Sequence, residues 1–460
     1  MAGGEAAKKS VEWRVSVTEG SSVKLEPESN LFSRAWKGLK LKVSEFAKKV
    51  WRIGADDPRR AMHGIKVGLA LSLVSLFYYT RPLYDGVGGT AMWAIMTVVV
   101  IFDYSVGGSL YKGFNRIVAT STGGALALGI HFFADKLGGT FEPLVLGTSL
   151  FLLASAATFS RFLPIVKARF DYGITIFILT FSLVSVSGYR VDKIVTVAEE
   201  RVSTIGIGVS ICFLVSIFIC PVWAGGDLHL LITKNMEKLA HSLEGCVGGY
   251  FDANESNSAS HQKWQGYKCV LNSKASEDSL ANLATWEPAH GNFGFRHPWK
   301  QYLKVGAAMR YCAYCIEALN GCINSDVEAP KHIKKHLSEV FMKVSSEASK
   351  VLKESTSSVS VMTKSPCVDL LIGEMNIAVE ELHSAMRTLP DAIATSSSPT
   401  VSFVETLPLI TIASLLIEIS TRVEAIVDSV EELANLAGFK PAAISNEKQE
   451  DAMKGVVQLV

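Results

Sequence analysis

Three cations sit in or beside strongly apolar sequence, and any chemistry here starts with them. Lys66 lies inside GIKVGLALSLVSLF, Arg116 opens RIVATSTGGALALGIHFF, and Arg201 opens RVSTIGIGVSICFLVSIFICPVW. A charge in or beside hydrocarbon is costly, so each needs a partner, a wet cavity or a route to the interface. A guanidinium stays protonated at any physiological pH and grips carboxylates bidentately. Arginines facing a wet cavity would therefore attract anions and offset the dehydration of a small dicarboxylate. Long cationic side chains at span ends also snorkel as plain anchors. Both readings of Arg116, Arg201 and Lys66 stand at this point. For conduction, binding must stay weak or multi-site so that the ion can leave.

The elements that must position these cations are membrane helices. Six apolar segments, about 63–80, 89–106, 115–133, 142–160, 172–189 and 202–220, stand in a row. Each is close to the ~20 residues a helix needs to cross ~30 Å of hydrocarbon. Gly68, Gly107, Gly108, Gly123, Gly124, Gly206 and Gly208 recur in and beside them, and small residues let membrane helices approach closely. Loop charge sets the topology. Arg59 and Arg60, then Lys112, then Arg161, Lys167 and Arg169 mark one side; Arg81 with Asp85, Asp135 with Lys136, and Arg190 with Asp192 mark the other. The positive-inside rule puts both termini in the cytosol. Arg116 then lies at the inner end of the third span and Arg201 at the outer end of the sixth.

The flanking regions read as soluble protein. Residues 1–30 are polar, are expected to be disordered, and lack the apolar stretch of a cleaved signal peptide. Residues 31–60 are expected to form an amphipathic cytosolic helix, with Leu, Trp, Val and Phe at helical spacing and basic residues between. Such a helix lies on the inner leaflet or packs on the soluble domain. A membrane domain over 61–221 ends at Cys220-Pro221, and Gly225-Gly226-Asp227 supplies a break and an N-cap. Helical periodicity follows over 227–251, 260–285, 298–325, 330–355, 368–388 and 403–437. Serine-rich stretches at 354–365 and 394–400 are expected as flexible linkers. The fold class is an all-α membrane protein, six transmembrane helices followed by a cytosolic helical domain over 222–440. Residues 441–460 form an expected disordered tail.

Composition narrows the function. Of 460 residues 48% are hydrophobic, the formal net charge is +1, and the mean hydropathy is +0.26. No basic stripe with interleaved aromatics appears, so nucleic acid is not an expected partner. There is no P-loop, G-x-S-x-G, HExxH or dinucleotide fingerprint, so neither an enzyme nor a cofactor is expected. Cys312-x-x-Cys315 and Cys322 fall in one helical run with no second pair to complete a metal site, and read as buried thiols. A carrier or channel is left.

Several motifs then carry a family resemblance. Asp57-Pro58-Arg59-Arg60, Lys66-Val67-Gly68-Leu69-Ala70, Met92-Trp93-Ala94-Ile95-Met96 and Lys112-Gly113-Phe114-Asn115-Arg116 resemble the plant aluminium-activated malate transporter family. So do Phe170-Asp171-Tyr172-Gly173, Pro221-Val222-Trp223-Ala224-Gly225-Gly226-Asp227 and Trp286-Glu287-Pro288-Ala289-His290-Gly291, in order over about residues 50–440. The resemblance implies a passive anion channel that releases malate, built as a homodimer around one central pore; inorganic anions are a further candidate cargo. It implies that Arg116 and Arg201 line that pore. It also implies aluminium-sensing acids in the outer loops, corresponding to Asp85 and Asp192, while a third acidic position is Thr196 here. An inhibitory response to γ-aminobutyrate (GABA) would involve Phe218. Root-type members point to the plasma membrane rather than the vacuole. On the residues alone, Asp85 and Asp192 equally well solvate loops, Phe218 faces lipid or core, and Trp286–Gly291 reads as a structural turn with His290 packing or hydrogen bonding.

Two other functions compete. A coupled exporter of organic or aromatic acids would need a titratable intramembrane group; Asp103 and His131 stand near span ends, and no acid lies mid-span. A membrane-anchored receptor or scaffold would place its function in the soluble half.

Overall fold

The computed structural model describes residues 31–80, 91–138, 141–188, 194–251, 264–324, 331–395 and 403–441. The chain divides into two compact units, residues 1–62 and 63–460. In the first, α1 (Leu31–Asp56) is the amphipathic helix read from sequence. Its Trp36, Leu39, Val43, Phe46, Val50 and Trp51 are exposed, with Lys40, Lys42, Lys48, Lys49 and Arg52 between them. Asp57 separates it from α2 (Pro58–Tyr79). The Asp57 carboxylate accepts from Arg59 N at 3.2 Å, and Pro58 takes the first helical position. Both are helix-starting chemistry.

Each predicted span falls on a helix: α2, α3 (Ala91–Ile101), α4 (Val106–Leu137), α5 (Glu142–Ser160), α6 (Pro164–Gly188) and α7 (Ile194–Phe218). Among the described residues four are long and apolar enough to cross a membrane: α4, α5, Arg169–Ser187 of α6 and Arg201–Phe218 of α7. The α2 helix is not one of those four, and α3 is a shorter apolar helix. α4 starts well before residue 115 because Ser105 caps it, its side chain accepting from Gly108 N at 3.0 Å.

Small residues set the packing of this block. Gly123 lies against the backbone of Phe177, and Gly173 against the Asn115 side chain, which fits α4 to α6. Gly208 lies against Ala94 and Thr97, which fits α7 to α3. One apolar core joins α2, α3 and α7 through Ala70, Val74, Val98, Val209 and Cys212. A smaller one joins α4 to α6 through Ala127, Phe181 and Val184. The outward faces of α5 are apolar and exposed, at Leu144, Phe151, Leu152 and Phe159. Faces of that kind suit hydrocarbon, where the helical backbone satisfies its own polar groups.

Among the described residues from 224 onward the regular structure is helical except for one pair of two-residue strands. Its elements are α8 (Ala224–Phe251), α9 (Tyr267–Leu271), α10 (Lys274–Ala284), α11 (Trp299–Ile323), α12 (Lys331–Val361), α13 (Val368–Thr395) and α14 (Phe403–Ala437). One continuous core runs through Leu228, Met236, Tyr302, Met309, Phe341, Leu382, Leu416 and Val423. Two sequence expectations change here. The helix expected over 260–285 breaks at Asn272 and Ser273, where Ser273 Oγ donates to Val270 O at 2.7 Å, a local bond that competes with the helix. The serine-rich 354–365 is not a loose linker. α12 continues to Val361, Ser358 Oγ donates to Thr363 O at 2.6 Å, and β1 (Thr363–Lys364) pairs in parallel with β2 (Lys440–Pro441). The Ser358 hydroxyl has gone to a nearby carbonyl and the Ser365 hydroxyl to the Glu354 carboxylate.

Candidate functional site

The packing that fits α4 between its neighbours also fixes Arg116. Gly113, three residues earlier, takes the Phe213 ring of α7 against its α-carbon, and Asn115 fills the space at Gly173 of α6. Arg116 is left 5% exposed, with its Nε buried and without a partner among the described residues. Arg201, near the start of α7, lays its guanidinium 4.6 Å from the ring centroid of Trp93 on α3. That cation–π contact orients the group without neutralising it. The two arginines line one cavity of about 20 Å³, together with Trp93, Thr120, Thr180 and Ile205. That space suits about one water. A second cavity of about 450 Å³ shares Thr120, Thr180 and Arg201 and adds Ser121, Gly124, Glu199 and Ser203. A constriction walled by two cations thus adjoins a wider, mainly apolar vestibule that also holds Ser121, Ser203 and Glu199. Low-dielectric walls around charge of one sign focus the field and concentrate anions.

The other predicted site residues lie elsewhere. Lys66 is 3% exposed, and its Nζ donates to Cys220 O at 2.6 Å. Cys220 has φ 42°, and α7 ends two residues before it. A cation there meets the negative end of the helix dipole, so Lys66 ties α2 to the end of α7 and does not line the arginine cavity. Phe218 is 76% exposed on the last turn of α7. Thr196 lies in the first turn of α7. Asp85 and Asp192 lie outside the described residues. The two groups weighed for proton coupling have partners or neighbours of their own. Asp103 pairs with Lys112 at 2.7 Å, and His131 stands 3.7 Å from Glu142.

A second polar centre went unread in the sequence. The Glu287 carboxylate is buried and accepts three backbone N–H groups, from Ala224 at 2.6 Å, Gly225 at 3.0 Å and Gly107 at 3.2 Å. It thereby ties the first turns of α4 and α8 together, where the helix dipoles also favour an anion. Burial pushes its pKa up, opposed by those N–H donors and by His290. His290 stacks on Trp223 at 3.8 Å with its Nδ1 2.8 Å from Pro288 O, and Trp286 packs on Tyr111 and Phe114 of α4. Glycine is required at two places: a β-carbon on Gly107 would strike Leu283 O, and one on Gly225 the Trp299 ring. The helical domain from α8 onward therefore grips the same helix that carries Arg116. The sequence signal was a carboxylate inside an aromatic turn, Trp286-Glu287-Pro288. Thr120 was also missed, although it stands four residues after Arg116 and so shares its face.

Comparison with known proteins agrees with this architecture. Residues 51–400 match the family model described as Aluminium activated malate transporter. Aluminum-activated malate transporter 10 of Arabidopsis thaliana is 50% identical, with 96% of each chain covered. Aluminum-activated malate transporter 2 of the same plant is 48% identical over 87% of this chain and 79% of its own. Aluminum-activated malate transporter 1 of Triticum aestivum is 41% identical, over 88% of each.

Proposed function

We propose that this chain, which belongs to the aluminium-activated malate transporter family, is a passive anion channel that releases malate. The observation that carries the reading is the cavity walled by Arg116 and Arg201, in which the Arg116 Nε–H is buried without an acceptor among the described residues. A donor left open on a fixed cation costs free energy in a folded protein, and a transient anion would satisfy it. Two guanidinium groups offer a carboxylate successive sites, which favours entry without trapping. The constriction matches one water, so passage of a dicarboxylate requires α4, α6 and α7 to part there.

Six crossings, with α2 and α3 as the first two, put both termini in the cytosol. Two copies around a two-fold axis would turn each arginine into a pair beside a shared path. On this reading the membrane is the plasma membrane, and the basic face of α1 lies on its inner leaflet. Aluminium, a hard cation, would seek the carboxylates of Asp85 and Asp192. With Thr196 in place of a third acid the response should be weak. Phe218 is the place where GABA would act.

Voltage clamp with internal malate tests the core of the proposal. Current should reverse near the anion equilibrium potential at any pH gradient, and Arg116→Glu should abolish it. Wild-type-like current from that variant would remove Arg116 from the path, and reversal that follows the proton gradient would favour a coupled exporter. Adding external Al³⁺ to wild type and to Asp192→Asn tests the sensing residues separately.

A further inference from the structure

Thr120, beside the arginines, departs from the usual bonding of threonine in the membrane block. Threonine in a helix ordinarily returns its hydroxyl to a carbonyl one turn back. Thr97 does so to Trp93 O at 2.7 Å, Thr122 to Val118 O at 2.8 Å, Thr148 to Leu144 O at 2.8 Å and Thr175 to Asp171 O at 3.0 Å. Thr120 does not. It is 3% exposed, and its Oγ1 is buried with no partner among the described residues. It lines both the constriction and the vestibule, as does Thr180 on α6, which is 8% exposed. Buried hydroxyls are normally hydrogen-bonded, so an orphan one invites an explanation. Here the unsatisfied Arg116 Nε lies one helical turn away on the same face.

We propose that Thr120, seconded by Thr180, is a selectivity determinant: its hydroxyl donates to a carboxylate oxygen of the anion that Arg116 and Arg201 attract. The inference rests on the reading of the arginine cavity as the anion path. A guanidinium fork supplies two parallel donors to a carboxylate, whose two oxygens accept about four hydrogen bonds. The remaining lone pairs must keep water or find other donors, and the constriction has little room for water. A hydroxyl in the wall fills that place. Chloride is a weaker acceptor without directional lone pairs, and gains less from a fixed hydroxyl. The arginines therefore select for charge, and the threonines select carboxylates among anions.

The test is the malate-to-chloride permeability ratio, read from reversal potentials under bi-ionic conditions. Thr120→Val keeps shape and removes the hydroxyl, and should lower the ratio about tenfold, the loss of one hydrogen bond to a charged acceptor. Thr120→Ser should stay near wild type, and Thr180→Val should give a smaller drop in the same direction. If Thr120→Val does not reach the membrane, the Thr180→Val and Thr120→Ser pair carries the comparison. Arg116→Gln and Arg201→Gln run alongside. If the arginine variants change current and the threonine variants leave the ratio unchanged, the hydroxyl role is overturned and the arginine path stands. If the arginine variants also leave current and ratio at wild type, the path itself falls.

Discussion

Two centres in this molecule bury charge, and they treat it in opposite ways. At the joint between membrane and soluble helices, Glu287 has three backbone N–H donors and the ends of two helices around it. In the arginine cavity, the Arg116 Nε and the Thr120 hydroxyl have no acceptor among the described residues. Satisfied buried polar groups hold a structure together, whereas unsatisfied ones cost stability and are kept where something else comes to satisfy them. The joint is therefore a fastening, and the cavity is a place for a transient ion.

Substitution should separate the two centres sharply. Glu287→Ala leaves three N–H groups without an acceptor and should cost about 4 kcal/mol, seen as a large fall in the thermal midpoint of detergent-solubilised protein. Glu287→Gln, which keeps an acceptor oxygen, should recover part of it. Arg116→Gln should leave that midpoint unchanged or raised while malate current collapses. If Arg116→Gln destabilised the protein as much as Glu287→Ala, the contrast would be wrong.

A smaller effect should come from the ring that steadies Arg201. Trp93→Leu removes a cation–π contact worth about 1 kcal/mol, so apparent malate affinity should weaken about fivefold. Unchanged affinity would mean that Trp93 only packs.

A further difference is one of pH. The soluble side of the joint titrates, whereas guanidinium does not. Burial, then the charges of His229 and His290, lower the His297 pKa from 6.5 to about 4. The unfolded chain therefore binds more protons between those values, and this histidine's contribution to stability is lost as pH falls from about 6.5 toward 4. Glu287, with its raised pKa, acts in the opposite sense. The difference between wild type and His297→Gln should isolate the histidine: the variant should lose less stability than wild type across that window. Parallel pH curves would remove His297 from the account.

Much of the architecture was legible from spacing alone. Apolar length located the helices of the membrane block, and the amphipathic pattern located α1 and most of the soluble helices. The misses share a cause. Ser273, Ser358 and Thr120 carry hydroxyls whose effect depends on which carbonyl they reach. At 273 the bond breaks a helix, at 358 it closes a turn beyond α12, and at 120 it is not made. Lys66 looked like a third pore cation because its neighbours in sequence are apolar. Its partner, the Cys220 carbonyl, is far away in the chain. Glu287 looked like part of a turn because its three donors come from Gly107, Ala224 and Gly225.

The sequence by itself determined that arginines stand within apolar helical segments and that a second helical domain follows, because hydropathy and helical period are local properties. Only the tertiary structure decided that Arg116 and Arg201 wall one cavity while Lys66 caps a helix. Whether a buried charge is free or spent depends on which distant groups the fold brings within about 3 Å of it, the range of a hydrogen bond.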